Sequence, residues 1–535
     1  MKKRKLLSGI FIASATIVLM VYPAMAEQFS LLGRPLNLMG YVTQGGSFSL
    51  LDKDKYDTEK GLNSALMNLY LEGDYAFTDK LKFYGSGMLT VDWIYQLKTN
   101  DSSWHEKMFN KSHDKLNVDD KYWQLLKEAH LTWTPGDFLF RVGKQIVSWG
   151  ETDGFRLMDQ INPLDGRRGF ADVEFETSII PIWLVRAEYN VPQKWSWLQD
   201  LRFQFIFNPN ADFIPNQGTL PGNDEGGIWA PNISGPLFKN LPGIGYIPIS
   251  VIPTLPPPLQ ALAATLPAIN SRIGSMFTDY KEPGHFSPKG FEYGARVQGV
   301  IYDSIITLNY FYGRDNSPIA KNLPYPPIMS QASDGSAIIH PFLEGKYPLF
   351  RFVGATFSRD ITPLKASFLG GVAPVLRLET FYAFSNTFST QAGNTYEKSD
   401  EFRGSVGIDW KIKIPFLNPR AYFMISPQFY YRGILDYPKS NILTYEGDIL
   451  YKNNYMTSLM INTSYLHNKL TPSFFWMQDY KHNANLFRLQ MTYDHSNNWR
   501  FTIGTQFLHG KKENEGFKVF DNKDQIYFKI SYKWG

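Results

Sequence analysis

The stretch ALMNLYLEGDYAFTDKLKFYGSGMLTVDW, residues 65–93, contains two runs in which apolar and polar side chains alternate. In the first run, Leu69 and Leu71 fall on one face, and Tyr70 and Glu72 fall on the other. The second run resumes the alternation after the tight link TDK. A period of two indicates a β-strand, and each run covers the roughly ten residues that a tilted strand needs to cross a bilayer. The stretch therefore predicts a hairpin of two membrane-spanning strands.

The rest of the chain repeats this pattern, and its connections are of two unequal lengths. Short links are predicted at Thr78–Asp79, Thr134–Asp137, Tyr302–Asp303, Asp360–Pro363 and Ser496–Asn498. Long polar or glycine-rich segments lie between them, at 49–62, 96–123, 150–172, 208–288, 314–348, 389–400, 433–451 and 510–523. Alternating short and long connections are typical of transmembrane barrels with short periplasmic turns and long extracellular loops. A β-sandwich does not sort its loops by side in this way.

The predicted fold is all-β: a transmembrane antiparallel β-barrel of about eighteen strands, within the usual even range. The strands run from residues 36–48 to residues 524–534. Sixteen strands is the alternative, because the segments 365–388 and 469–495 can each be divided in more than one way.

The last strand, in DQIYFKISYKWG, gives independent support for a closed barrel. Ile526, Phe528 and Ile530 form an apolar face, and Tyr527 and Lys529 lie on the other face. An exposed apolar edge strand would favour aggregation, and pairing with the first strand removes that edge. An ordinary amphipathic edge strand is the alternative interpretation. The apolar face therefore predicts a lipid-facing surface on a closing strand.

The N-terminus predicts export. A basic head, MKKRK, precedes an apolar run and the small-residue site at Ala24–Ala26, which is typical of a cleaved signal peptide at residues 1–26. Residues 27–535 are then the barrel, with a long loop insertion at 208–288. Removing the signal peptide takes the formal net charge from +4 to zero, so no nucleic-acid partner is predicted.

Composition also argues against several site chemistries. The chain has no cysteine, so neither a disulfide nor a thiolate nucleophile is possible. Its 9 histidines include no close-spaced ligand pair. Calcium at the acidic segment 51–60 is conceivable, but interleaved lysines favour a solvated loop. We therefore predict no catalytic residue, no metal and no cofactor, and a protein that is not an enzyme. Aromatic residues make up 16% of the chain, as the rims of a membrane barrel would need.

A resemblance to a known family rests on RVGKQIVSWGETDGF and INPLDGR within residues 138–168. These stretches resemble the Gly-Arg/Lys-Gln-x-x-x-Trp-Gly-Glu and Asn-Pro-x-Asp pattern of an uncharacterised DUF-type family of Gram-negative outer-membrane barrels. The resemblance is weaker over residues 290–412. That family is distantly similar to alginate-export and substrate-specific porins, and its genes often lie beside RND-type pumps. The resemblance implies transport of lipidic or other apolar compounds, and it brings no catalytic residues. Lys144 departs from the pattern, because arginine is commoner there.

The segment 150–172 is predicted to be an outer rim or an infolded constriction. Its charged residues and those of the neighbouring strands are candidates for the lumen: Glu128, Arg141, Gln145, Asp153, Arg156, Asp159, Asp165, Arg167 and Arg168. These charges either filter the solute or only fix the loop by pairing with one another. Strict alternation places Lys144 toward lipid, at a cost of about 2–4 kcal/mol mid-membrane. Lys144 either snorkels to the interface or turns inward at a bulge near Gly143, and we favour the bulge.

The segment LPGIGYIPISVIPTLPPPLQALAATLPAINS, residues 241–271, has no charged residue and seven prolines. It cannot be a spanning helix, although LQALAATL predicts a short helix after Pro258. Such a segment could cover the pore as a lid, lie on the outer leaflet, contact a partner or be disordered.

Together these features predict a porin-like channel of the bacterial outer membrane that passes hydrophobic or lipidic compounds. A hydrolase barrel or an adhesin is the alternative. Predicted partners are outer-membrane lipid and lipopolysaccharide, the barrel-assembly machinery, and a periplasmic or pump protein.

Overall fold

The computed structural model describes residues 28–51, 60–98, 116–152, 156–169, 175–218, 229, 231, 233–274, 276–323, 325, 327–331, 337–520 and 523–535. The signal-peptide prediction for residues 1–26 and the residues 52–59 of the acidic segment lie outside this part of the chain. Eighteen antiparallel strands, β1–β18, form a closed barrel. Their bounds are β1 Arg34–Ser49, β2 Leu66–Ala76, β3 Leu81–Asp92, β4 Glu128–Trp133, β5 Phe138–Gln145, β6 Ile182–Asn190, β7 Leu198–Asn208, β8 Glu292–Ile301, β9 Ser304–Arg314, β10 Leu349–Asp360, β11 Val375–Thr390, β12 Tyr396–Ile412, β13 Phe423–Ile434, β14 Asn453–Asn462, β15 Leu470–Asp479, β16 Ala484–Asp494, β17 Trp499–Gly510 and β18 Gln525–Trp534.

The barrel closes because its last strand pairs with its first. Gly40 of β1 lies opposite Trp534 of β18, and the ladder continues to Ser49 opposite Gln525. The prediction of eighteen strands is confirmed, and the alternative of sixteen is wrong. The difference lies in the segment 469–495, which holds two strands, β15 and β16, paired along their length.

The longest connections lie at one end as predicted, but that end also carries the short connections 391–395 and 480–483, and the predicted short link Asp360–Pro363 is wrong because the connection there is 361–374. At one end the connections are 77–80, 134–137, 191–197, 302–303, 361–374, 413–422, 463–469 and 495–498, and at the other end 50–65, 93–127, 146–181, 209–291, 315–348, 391–395, 435–452, 480–483 and 511–524. We call the second end, which has the longest loops, the outer end. The predicted long loop 389–400 is wrong. Strands β11 and β12 extend to a turn at 391–395, and Phe388 is buried there against Ile434, Leu443 and Leu450.

Shorter elements lie between the barrel strands. The helices are α1 Ile94–Leu97, α2 Tyr122–Leu125, α3 Phe175–Ser178 and α4 Pro257–Thr265, and the 3-10 turns are Ile249–Thr254, Thr362–Leu364, Ser367–Leu369 and Gly516–Phe520. Short strands that extend the barrel sheet are Gln28–Leu31, Gly61–Ser64, Leu443–Tyr445 and Asp448–Leu450. A five-stranded sheet contains, in order, Gly245–Pro248, Ser234–Leu241, Ile269–Ile273, Ala337–His340 and Ile328–Gln331, and a three-stranded sheet contains Phe277–Lys281, Phe342–Lys346 and Ile319–Asn322.

The two faces of the wall differ as a membrane barrel requires. Apolar side chains such as Val142, Leu308 and Ile503 are exposed on the outward face, which would contact lipid. In β18, Ile526 and Phe528 are exposed while Tyr527 and Lys529 are buried inside, so the predicted lipid face of that strand is confirmed. Among the described residues, no helix is both long and apolar enough to cross a membrane.

Candidate functional site: the lumen and its infolded segment

The connection between β5 and β6, residues 146–181, folds into the barrel, and we call it the infolded segment. Five of its buried apolar side chains pack in one cluster with inward side chains of five strands. The segment contributes Val147, Trp149, Leu157, Met158 and Ile161, and the wall contributes Ile182, Leu184, Ile206, Phe311, Phe350, Phe352, Phe381 and Ala383. The segment therefore lies within the lumen. Of the two predicted positions, an outer rim and an infolded constriction, the structure has the infolded one.

Glycines in the wall make room for the two largest contacts of the segment. A Cβ atom placed on Gly354 of β10 would lie 2.4 Å from the Met158 sulfur. A Cβ atom on Gly294 of β8 would lie 2.6 Å from Cη2 of Trp149. Interiors are close-packed, so side chains at these wall positions would displace the segment.

Polar side chains within the segment hold its first turn. Oδ1 of Asp159 accepts hydrogen bonds from the Trp149 N–H at 2.5 Å, the Gly150 N–H at 2.9 Å and the Ser148 hydroxyl at 3.0 Å. Oδ1 of Asn162 accepts the Val147 N–H at 2.8 Å. A loop without its own strand or long helix needs such partners, because buried backbone groups without them are costly.

Arginines from two wall strands, β8 and β11, bind backbone carbonyls of the segment. Nη1 of Arg296, on β8, donates to the Ser148 carbonyl at 3.2 Å. Nη1 of Arg377, on β11, donates to the Glu151 carbonyl. Nη2 of Arg377 also donates to Asp409 at 2.8 Å. Side chains of the wall thus also hold the start of the segment.

A buried ion-pair cluster fixes the later part of the segment. Arg167 donates to Asp165 at 2.8 Å and to Asp119, from the β3–β4 loop, at 2.7 Å. The Arg167 guanidinium lies 4.7 Å from the Trp123 ring, and Arg168 is 3.5 Å from Asp119. Burial alone would raise the pKa of Asp165, but the charge and hydrogen bonds of Arg167 outweigh it and hold that pKa below its usual value.

Asparagines from two other outer loops bind the middle of the segment. Nδ2 of Asn316 donates to the Gln160 carbonyl at 2.9 Å. Oδ1 of Asn216 accepts the Leu164 N–H at 2.8 Å, and Nδ2 of Asn216 donates to the Ser317 hydroxyl at 2.8 Å. The β7–β8 and β9–β10 loops therefore share one hydrogen-bonded network with the infolded segment.

Asp315 is the titratable group next to that network. Its carboxylate accepts the Ser317 N–H at 2.9 Å and the Tyr445 hydroxyl at 3.1 Å. Burial raises the pKa of Asp315 to about 6; its bond from Ser317 and the charge of Arg403 oppose this rise, and the charge of Glu446 adds to it.

The long β7–β8 loop also enters the barrel. Its Trp229 packs with the inward side chains Met477, Leu486 and Leu508. A Cβ atom on Gly169 of the infolded segment would lie 2.2 Å from the Trp229 ring. Two outer loops therefore meet inside the lumen.

Most of the predicted site residues form hydrogen bonds or ion pairs that hold the segment in place. The bonds of four of them are described above: Asp159, Asp165, Arg167 and Arg168. In addition, Nη1 of Arg156 donates to the Asn162 carbonyl at 3.0 Å. Gln145 donates to the Leu184 carbonyl at 3.1 Å, and Glu128 accepts the Ile146 N–H at 3.2 Å. Arg141 donates to Thr132 at 3.0 Å, so the expected contact of Arg141 with the segment is not found among its described bonds. Asp153 lies outside the described residues.

Lys144 is fully buried, because the β3–β4 loop covers it. Its Nζ donates to the Trp123 carbonyl at 3.1 Å and to the Leu126 carbonyl. Gly143 has a φ of +137°, which a side chain rarely adopts, and a Cβ atom there would lie 2.2 Å from the Ala129 carbonyl oxygen. β4 and β5 keep their register through Lys144, so the predicted bulge is wrong, and carbonyl groups of the β3–β4 loop bind the ammonium group.

Sequence reasoning missed an arginine-lined pocket beside the infolded segment. We call it the arginine pocket, and its lining residues are Val147, Ser148, Arg186, Arg202, Gln204, Arg296 and Gln298. The signal was available, because polar residues occupy every second position of β6, β7 and β8 in this region. Within the described residues, no three potential metal-ligating side chains come together.

Residues 41–223 match the model of a family described as a protein of unknown function (DUF1302). The match confirms the predicted family resemblance over this part of the chain, including the quoted motif in β5 and the infolded segment. No curated protein matches the chain.

Solved structures with a similar fold are outer-membrane proteins. OpdK of Pseudomonas aeruginosa, solved with vanillate, is 7% identical, covering 93% of this chain and 98% of its own, with a TM-score of 0.45. OccAB3 of Acinetobacter baumannii is 8% identical, covering 94% and 100%, with a TM-score of 0.45. A BenF-like porin from Pseudomonas fluorescens is 9% identical, covering 95% and 100%, with a TM-score of 0.44. These are likenesses of fold alone.

Proposed function

We propose that this protein is an outer-membrane channel in which the infolded segment narrows the lumen and moves to admit a solute. The observation that carries the proposal is a closed barrel of eighteen strands whose lumen holds an anchored loop. Barrels of this size are wide enough to leave a passage, and loops that fold inward set its width. The outward apolar face supports a position in the bacterial outer membrane.

We further propose that the solute is hydrophobic or lipidic. Four phenylalanines point inward on adjacent strands: Phe311, Phe350, Phe352 and Phe381. The lumen of a membrane barrel is usually polar. In the closed form these rings pack on the segment, and displacing the segment would expose an apolar surface along the passage. Such a surface would favour apolar solutes, because contact with it removes their surface from water.

The contacts of the infolded segment support different roles for its own charged residues and for the wall arginines that bind it. Asp159, Asp165 and Arg167 are engaged in holding the segment's own backbone and ion pairs. Arg296 and Arg377 instead come from the wall and bind single carbonyl groups. Breaking those two contacts would loosen the start of the segment and leave its internal bonds, and the wall bonds of Gln204 and Glu128, in place. We therefore propose Arg296 and Arg377 as the contacts that change when the channel opens.

Planar-bilayer recording of the full-length purified protein tests the channel proposal. Discrete conductance steps are expected, with larger or more frequent openings in an Arg296→Ala, Arg377→Ala double variant. The matched control is Arg34→Ala with Arg420→Ala, which removes two arginines whose described partners, Asp79 and His467, lie in the short turns and not in the infolded segment. Folded protein, with heat-modifiable gel migration, that gives no conductance in either form would overturn the proposal. Ester hydrolysis by such protein would instead revive the hydrolase alternative.

The predicted partners are also proposals. The family resemblance supports a periplasmic or pump partner, and a membrane barrel would contact lipopolysaccharide and require the barrel-assembly machinery. Cross-linking in intact cells, followed by mass spectrometry, would identify a pump partner at the end that carries the short turns. Recovery of only assembly factors would contradict the pump proposal.

A further inference from the structure

The arginine pocket concentrates positive charge on one side of the lumen. Arg186 of β6, Arg202 of β7 and Arg296 of β8 all line it. Glu188 is the carboxylate that faces them: Arg186 donates to it at 2.6 Å, and Arg202 lies 3.9 Å away. Glu188 is the carboxylate that the described wall offers to these three guanidinium groups, and the carboxylates of Glu151 and Asp159 in the infolded segment also interact with the charge of Arg296.

The hydrogen-bonding capacity of these arginines is not exhausted by the wall. The Arg202 side chain is 46% exposed, so part of its guanidinium faces the pocket. Nε of Arg296 is buried without a hydrogen-bond partner, although Nη1 of the same residue binds the Ser148 carbonyl. Gln204 is occupied at both ends, because its amide donates to Glu188 and accepts from the Trp149 indole. The unused donors in the pocket thus include those of Arg202 and Arg296.

Apolar side chains continue from the pocket toward the outer end. Leu184 lies two residues from Arg186 on the same face of β6, and Ile206 lies two residues from Gln204 on the same face of β7. Both belong to the buried cluster that Val147 of the infolded segment joins. A ligand with a charged end in the pocket would therefore meet an apolar surface on its outer side.

We propose that the arginine pocket binds the oxyanion head of an amphipathic organic anion, with the apolar part of that anion directed toward the Leu184 and Ile206 side. This inference rests on the proposed function and names the class of solute. Planar guanidinium groups bind a carboxylate through paired N–H donors, and charge-assisted bonds of this kind are strong in a partly desolvated site. A head that engaged Arg296 would also compete with the Ser148 carbonyl for that guanidinium. Binding would then loosen the contact between Arg296 and the infolded segment.

Isothermal titration of the full-length protein in dodecylmaltoside micelles tests the inference, with sodium hexanoate and its neutral analogue hexanamide as probes. Hexanoate is expected to bind, and hexanamide and acetate are expected to bind at least about tenfold more weakly, because each lacks one of the two recognised parts. Arg202→Gln should weaken hexanoate binding by roughly tenfold or more. Arg420→Gln, which removes the same charge in the exposed turn 413–422, should leave it unchanged.

Folding of each variant is verified by heat-modifiable gel migration. Equal binding of hexanoate and hexanamide, or unchanged hexanoate binding by folded Arg202→Gln, would overturn the inference. Weaker binding by Arg420→Gln as well would show that the anion is attracted by general charge, and would also overturn it. Bilayer conductance is recorded on the same preparations. Normal conductance together with equal binding of hexanoate and hexanamide would refute only the anion pocket. Absence of conductance would refute the proposed channel function.

Discussion

Two apolar stretches leave the same end of the barrel and behave differently. In the infolded segment, Trp149, Met158 and Ile161 are buried within the lumen. In the outer segment, residues 241–271, apolar side chains such as Ile244 and Leu262 stay exposed. The infolded segment has many charged residues and the outer segment has none, so mean hydropathy does not decide which stretch enters a barrel.

The difference lies in what the rest of the molecule offers to each stretch. The infolded segment meets wall glycines at Gly294 and Gly354 and hydrogen-bonding partners on several elements. The outer segment forms its own structure: short strands of the five-stranded sheet and helix α4, which confirms the predicted helix after Pro258. Lys239 donates to the Ala263 carbonyl at 2.7 Å and so ties α4 to that same sheet. Whether this segment also acts as a lid stays a prediction.

The largest effect is expected from the buried ion-pair cluster. Arg167→Ala leaves the carboxylates of Asp119 and Asp165 buried without their main partner, and such losses cost about 3–5 kcal/mol. Urea unfolding in lipid or detergent should show this decrease in the free energy of unfolding. The control Arg34→Ala breaks an exposed pair with Asp79 and should cost under about 1 kcal/mol. Similar costs for the two variants would mean that the cluster does not anchor the segment.

The next effect compares the two apolar stretches directly. Met158→Ala removes a fully buried side chain from the lumen cluster and should cost about 2–5 kcal/mol. Leu262→Ala truncates a partly exposed side chain of α4 and should cost under about 1 kcal/mol. Urea unfolding of both variants measures the two losses in the free energy of unfolding. A larger loss for Leu262→Ala would reverse the comparison.

A pH effect of up to ~3 kcal/mol is expected at Asp315, because its pKa of about 6 lies above the ordinary value of 3.8. The folded form holds the proton to higher pH than the unfolded form, so this contribution to stability is greatest below pH 4 and is lost as pH rises through about 6. Asp315→Asn should remove that slope and leave the variant at least as stable as the wild type at pH 7.5. Asp137→Asn, in an exposed turn, is the control and should keep the slope. An unchanged slope in Asp315→Asn would show that other groups dominate.

The smallest effect on stability is expected from shortening the outer segment. Replacing residues 242–268 with Gly-Ser-Gly keeps the paired strands Ser234–Leu241 and Ile269–Ile273, which already form a ladder. The barrel should fold, because its strands supply the backbone hydrogen bonds. Heat-modifiable migration and an unfolding free energy within about 1 kcal/mol of the wild type are expected. If this segment is a lid, conductance rises and apolar-solute uptake falls; loss of assembly would place it in the wall.

Much of the fold could be predicted from the sequence, because period-two alternation marks each strand and its lipid face without reference to distant residues. The strand count depends on segments with a weaker alternation. The sequence predicts a loop at 389–400, whereas β11 and β12 extend into that range, because residues distant in sequence bury side chains such as Phe388 there. The site was harder to predict. Alternation shows that Arg186 points inward, but it does not show that Arg202 and Arg296 lie at the same depth, since depth follows from cross-strand register.

The partners of the infolded segment illustrate the same limit. Asp165 and Arg167 are near neighbours, and their pairing could be predicted from the sequence. Asp119 joins them from another loop, and no local pattern marks it. Gly354 matters because Met158 reaches it across the lumen, which again depends on the closed barrel.

The most direct test of the central claim is whether the infolded segment must move for the channel to conduct. The chain has no cysteine, so Met158→Cys with Gly354→Cys introduces a single pair where the segment meets the wall. Single-channel recording is made on the oxidised protein, with cross-linking verified by gel migration, and again after reduction; the Met158→Cys single variant, given the same treatments, is the control. We predict that the cross-link suppresses openings and that reduction restores them. Equal conductance in the cross-linked and reduced states would contradict the account.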